Sequence, residues 1–168
     1  MAVETFDSIK TQTLTSSTAG ITFSDIPSGY THLMLAVTAI ATTGNTDIGV
    51  QLNGDSGSNY HFQMMYGNTS GGNGTYRTST PTRMQITDWS YTDSSTFNNC
   101  VAYFLNYSDT NVWKTATGKS TRGNTGGGID VYQNYWRNTN AISSMYIFGT
   151  TGNLNTGSTF SLYGLKAS

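Results

Sequence analysis

The sequence predicts an all-β fold, an antiparallel two-sheet β-sandwich of jelly-roll type, and three observations predict it. Residues 33–39 alternate, with Leu33, Leu35, Val37 and Ala39 on one face and Met34, Ala36 and Thr38 on the other, and the same period of two returns at 48–52 and 101–107. Short apolar runs are interrupted by Gly, Asn, Asp and Pro at close intervals, which suits about eight to ten strands joined by tight turns. No stretch carries the 3.6-residue period of an amphipathic helix, and no internal repeat is present.

The elements follow in order. Residues 5–14 alternate weakly, with Phe6 and Ile9 as apolar anchors, and read as an edge strand or a docked arm within residues 1–14. A short strand at 21–23 leads into Asp25-Ile26-Pro27-Ser28-Gly29, where Pro27 presets φ, Gly29 accepts φ > 0 and Asp25 caps backbone donors. The strand from Leu33 has two largely apolar faces, so it is expected to be central and covered on both sides, by a second sheet and by a loop or neighbouring subunit. Ile48, Val50 and Leu52 mark a half-buried strand closed by Asn53-Gly54, and residues 60–66 form another. Residues 68–74, NTSGGNG, read as an exposed tip. Strands are expected at 81–91, 97–107 and 112–121, with Trp113 facing the preceding strand of a hairpin, and a second glycine-rich tip at 122–128. Strands at 129–135, 141–148 and 158–165 complete one domain spanning residues 1–168.

Composition narrows the function. Charged residues make up 10% of the chain against about 25% in ordinary domains, and the formal net charge is −1. Little repulsion then keeps the chain from other protein, so it is expected to work in an assembly. The eight Lys and Arg are scattered, which provides no stripe for nucleic acid. No run approaches the roughly 18 apolar residues of a membrane helix, and the N-terminus has no signal-peptide pattern, so neither membrane nor export is expected. Cys100, the only cysteine, reads as a small buried hydrophobe.

Catalytic equipment is sparse. Glu4 is the only glutamate, and His32 and His61 are the only histidines; both histidines read as structural. Asn53, Asp55 and Gly57 sit at the spacing of a calcium loop, but Met64 stands where the closing carboxylate belongs, so a hydrogen-bonded turn is expected there. The chain is therefore read as a non-enzyme with no cofactor and no metal. The aromatic residues Trp89, Trp113, Tyr135 and Trp136 are the candidate contact surface, for protein or for the apolar faces of sugar rings.

Four segments carry a resemblance: ITFSDIPSGYTHLMLAV, LNGDSGSNYHFQMMYGN, WRNTNAISSMYIFG and GSTFSLYGLKAS. They resemble a group of small virion proteins of tailed phages, especially marine and cyanobacterial ones. The shared pattern is an I-P-x-x-Y turn (Ile26, Pro27, Tyr30), an N-G-D-x-x-x-N-Y loop (Asn53, Gly54, Asp55, Asn59, Tyr60) and a closing G-S-T-F-x-L-Y-G strand (Gly157, Ser158, Thr159, Phe160, Leu162, Tyr163, Gly164). Residues 71–96 depart most from it. The resemblance implies a virion structural protein, foremost a capsid decoration or cement protein. Such a protein acts as a homotrimer on the major capsid protein at the head surface, after assembly in the host cytoplasm. The alternative is a tail-fibre or receptor-binding module for host glycan. No fibre-shaft or coiled-coil repeat accompanies the chain, which favours decoration.

Overall fold

The computed structural model describes residues 6–44, 46–79, 81–87, 95–122 and 127–166. Through them run twelve strands: β1 (Phe6–Thr13), β2 (Gly20–Phe23), β3 (His32–Ala39), β4 (Ile48–Leu52), β5 (Tyr60–Asn68), β6 (Asn73–Ser79), β7 (Met84–Gln85), β8 (Asn98–Leu105), β9 (Lys114–Arg122), β10 (Gly128–Trp136), β11 (Met145–Gly149) and β12 (Thr159–Leu165). They form an eight-stranded sheet in the order β1-β12-β3-β8-β9-β10-β5-β6 and a four-stranded sheet in the order β2-β11-β4-β7. Within these, β1-β12-β3-β8 and β2-β11-β4-β7 interleave in sequence, the chain passing from one sheet to the other at each of the first four connections, and β7 packs against β5 and β10. That interleaving is the jelly-roll arrangement, built from antiparallel pairs. The remaining strands β9, β10, β5 and β6 extend the large sheet beyond β8.

One core lies between the sheets. Leu33, Leu35 and Val37 of β3, Phe160 and Leu162 of β12, and Ile48, Val50 and Leu52 of β4 are buried in it. The β3 strand is central and its Leu face is covered by the small sheet. Its second face is not covered by a loop of this chain among the described residues: Met34 and Ala36 are half-buried and Thr38 is exposed. The apolar character of that face therefore belongs to the outer surface of the large sheet.

Several expectations are corrected by packing. Phe6 is exposed rather than an anchor, although β1 is indeed an edge strand, paired only with β12. The left-handed residue near Pro27 is Asp25, at φ 57°, and not Gly29. The exposed tip expected at 68–74 is the turn of a β5-β6 hairpin, with 69–73 exposed, and what the sequence did not indicate is that β6 pairs with β5 along its whole length. Its polar sequence hid it, since the face it would bury meets little cover. The strand expected at 81–91 shrinks to Met84–Gln85 among the described residues. The tip at 122–128 falls partly outside those residues.

The quoted sequence motifs meet in pairs. Asn53 and Gly54, at φ 53° and 72°, form the two-residue turn in which both central residues are left-handed, closed by the Asp55 N–H donating to the Leu52 carbonyl at 2.9 Å. The Asn53 side chain then accepts from the Ser143 and Ser144 N–H groups at 2.8 and 3.1 Å and donates to the Ala141 carbonyl at 2.8 Å, which ties the loop to the run after β10. The same run is bonded to Ile26 and Tyr107, and the Tyr107 hydroxyl donates to the Pro27 carbonyl and accepts from the Tyr30 N–H at 3.4 Å. The Tyr30 ring lies on Gly164, where an added Cβ would sit 2.3 Å from it. These residues hold the fold, which explains their sequence specificity without any chemistry.

Candidate contact surface

Asp55 shows how the candidate calcium loop is used. One carboxylate oxygen accepts the Trp136 indole N–H at 2.6 Å and the Asn59 amide at 3.0 Å; the other accepts the Gly57 N–H at 2.8 Å. Burial pushes its carboxyl up, but these bonds outweigh burial and hold it below the ordinary value. Both oxygens are engaged by the chain's own donors, so the loop is a hydrogen-bonded turn. Among the described residues no group of three or more His, Cys, Asp or Glu side chains gathers as a metal site.

The same bond corrects one candidate. Trp136 is 1% exposed and points into the core, so it contributes no contact surface. The reason is the strand period: Tyr135 and Trp136 are neighbours on β10 and must face opposite sides of the sheet. Trp89 lies outside the described residues. Trp113 and Tyr135 do come together, with ring centroids 5.9 Å apart and planes 20° from parallel. Trp113, just before β9, thus meets β10. Tyr135 also stacks on His61 of the neighbouring β5, at 4.7 Å and 6°. Rings this close and this parallel cover one another's faces. The row is a cross-strand stack standing on the sheet, rather than a flat platform, and only Trp113, 55% exposed, keeps a broad free face.

His61 therefore joins the surface as an aromatic partner, which its isolated position in Asn59-Tyr60-His61-Phe62 did not reveal. His32 is structural, its Nδ1 accepting the Asn106 N–H at 3.0 Å.

The stack is one corner of a wider face. Along β10, Ile129 and Val131 are exposed at 64% and 39%, and Met65 of β5 at 59%. In the same cross-strand row as Val131 stand Lys119, Val101 and Ala36. Beside this row Val101, Tyr103, Thr117, Lys119 and Val131 frame an apolar depression of about 240 Å³. The only charged side chains on the described outer positions of β3, β8, β9, β10, β5 and β6 are Lys119 and Arg77; no carboxylate is among them. Sequence reading missed Ile129 and Val131 because apolar residues in a strand are assigned inward by default.

Buried polar groups contrast with that face. Lys114 is fully buried and its ammonium donates to the carbonyls of Asp109, Val112 and Thr139; burial lowers its pKa. Asn134 donates to the Gln85 carbonyl and accepts the Gln85 N–H, both at 2.9 Å, linking the two sheets.

No protein-family model matches the chain, and no curated protein matches it. What the fold and the surface define is a jelly-roll β-sandwich with one wide, nearly uncharged outer face.

Proposed function

We propose that this chain is a bacteriophage virion structural protein, a capsid decoration protein that stabilises the head shell. The observation that carries the reading is the outer face of the large sheet, where Ile129, Val131 and Met65 are exposed on a surface with few charges. Soluble monomers seldom display a wide apolar patch, and such patches mark protein contact sites. The resemblance of the turn and closing-strand motifs to phage virion proteins supplies the setting. In this reading the chain does no chemistry and binds no cofactor. It sits as a homotrimer on the major capsid protein, where symmetry multiplies modest contacts.

Cryo-electron microscopy of the intact virion tests this. Density for the chain on the shell, with shells lacking it bursting under milder stress, is the expected result. Density confined to the tail tip overturns it. That result would promote the second reading, a receptor-binding module, which the free face of Trp113 favours; a glycan array with the Trp113→Ala variant as control measures it directly.

A further inference from the structure

The outer face combines three properties that together specify what covers it. Its centre is the depression framed by Val101, Tyr103 and Val131, with Lys119 at the rim. At about 240 Å³ it falls below the roughly 300 Å³ at which small-molecule sites begin, so it suits one inserted side chain rather than a free ligand. Anchor side chains seated in such depressions carry most of the energy of a protein interface.

The second property is charge. Lys119 and Arg77 stand on the same face, on rows that the β9-β10-β5-β6 pairing places side by side, and no carboxylate of the described outer positions faces them. A face with cations and no anion is complementary to a surface carrying carboxylates. It is poorly complementary to itself, because a two-fold contact centred on the depression would bring Lys119 toward its own copy.

The third is rigidity. The depression rests on β8 and β9, where the Tyr132 hydroxyl donates to the Val101 carbonyl at 2.7 Å from beneath. Gly118 makes room for that ring: an added Cβ would lie 2.0 Å from the Val101 oxygen. The floor is thus tied to the core and the site is formed before binding.

From these we infer that the face around Val101, Tyr103, Lys119 and Val131 docks a different protein, which inserts an apolar or aromatic side chain into the depression and sets a carboxylate against Lys119. This rests on the decoration reading, in which the partner is the shell protein. It adds which face meets the shell and what chemistry the shell presents.

The experiment adds purified full-length chain back to heads of the encoding phage from which its gene has been deleted. The parent chain, Lys119→Arg and Thr22→Glu, the last an exposed position on the small sheet, should bind alike. Lys119→Glu and Val131→Gln, with unchanged melting, should bind about tenfold more weakly or worse. Equal binding by all variants overturns this face as the docking site and leaves the decoration reading standing. Failure of the parent chain to bind overturns both. Sedimentation of the free chain supplies the other arm: self-association abolished by Lys119→Glu and Val131→Gln assigns the face to a second copy and overturns the inference.

Discussion

Strands β3 and β10 lie in one sheet and bury opposite kinds of residue. On β3 the apolar Leu33, Leu35 and Val37 face the core and the half-exposed side carries Met34 and Ala36. On β10 the core side carries Asp130, Tyr132, Asn134 and Trp136, while Ile129 and Val131 face out. Alternation set by apolarity alone would place β10 one residue out of register. Bulk alone does not decide it, because Tyr135 stands on the outer side with Ile129 and Val131. Burying 150–250 Å² each at ~25 cal/mol per Å² is worth roughly 4–6 kcal/mol for Tyr132 and again for Trp136. An Ile or Val returns about 1.5–3 kcal/mol on burial. Asp130 and Asn134 are carried inward by parity; one Asp130 carboxylate oxygen accepts the Ser120 hydroxyl at 2.9 Å, and Asn134 is bonded by the Gln85 backbone. The difference teaches that the outer apolar residues of β10 were left outside because Tyr132, Asn134 and Trp136 find hydrogen-bond partners on the inner side.

The comparison breaks most sharply at Leu35. Truncation to Ala on the β3 core face should cost about 2–5 kcal/mol in chemical denaturation. A cost near zero would mean that the core faces are assigned to the wrong side.

Next in size is alkaline pH, which probes the aromatic side of the inversion. Burial pushes the Tyr60 phenol up to about 12 and raises Tyr107 and Tyr132 as well. The unfolded chain releases these protons near the ordinary value of 10. Stability from them is therefore fully present below that pH and is lost as pH rises through the folded values. Tyr60 alone accounts for on the order of 2–3 kcal/mol. Melting temperature should fall steeply above that pH, and tyrosinate absorbance should show some phenols ionising only as the fold is lost. Smooth ionisation of all eleven tyrosines before unfolding would contradict their burial.

Asn134→Ala tests whether the polar residues inside β10 hold structure. It leaves the Gln85 N–H and carbonyl without their partner, so a loss of about 1–3 kcal/mol is expected by denaturant titration. An unchanged midpoint would show that the link between the sheets is made elsewhere.

The smallest effect belongs to the outer side. Val131→Thr should shift stability by no more than about 0.5 kcal/mol, because the residue already faces water and Thr keeps the β-branched shape. A loss as large as that at Leu35 would place Val131 in a core after all.

Much of the fold was legible from local pattern. The β3 and β12 faces, the Asn53-Gly54 turn, the buried Cys100 and the absence of helices among the described residues follow from period, turn chemistry and composition. The contact surface was legible only in part. Trp113 and Tyr135 were named together, and they do stack. Trp136 was placed with them and belongs inside, and His61, Ile129 and Val131 were passed over.

What the sequence by itself determined was the kind of architecture: two antiparallel sheets, their turns, and a surface low in charge. Those properties reside in neighbouring residues, whose φ, ψ and side-chain alternation are set within a few positions. Which face of β10 turns inward was decided only by tertiary structure. The choice depends on the depth of the space under that strand, on whether Asp55 and Val101 stand where Trp136 and Tyr132 need acceptors, and on whether Gln85 lies opposite Asn134. Those partners lie tens of residues away along the chain and become neighbours only when the sheets close.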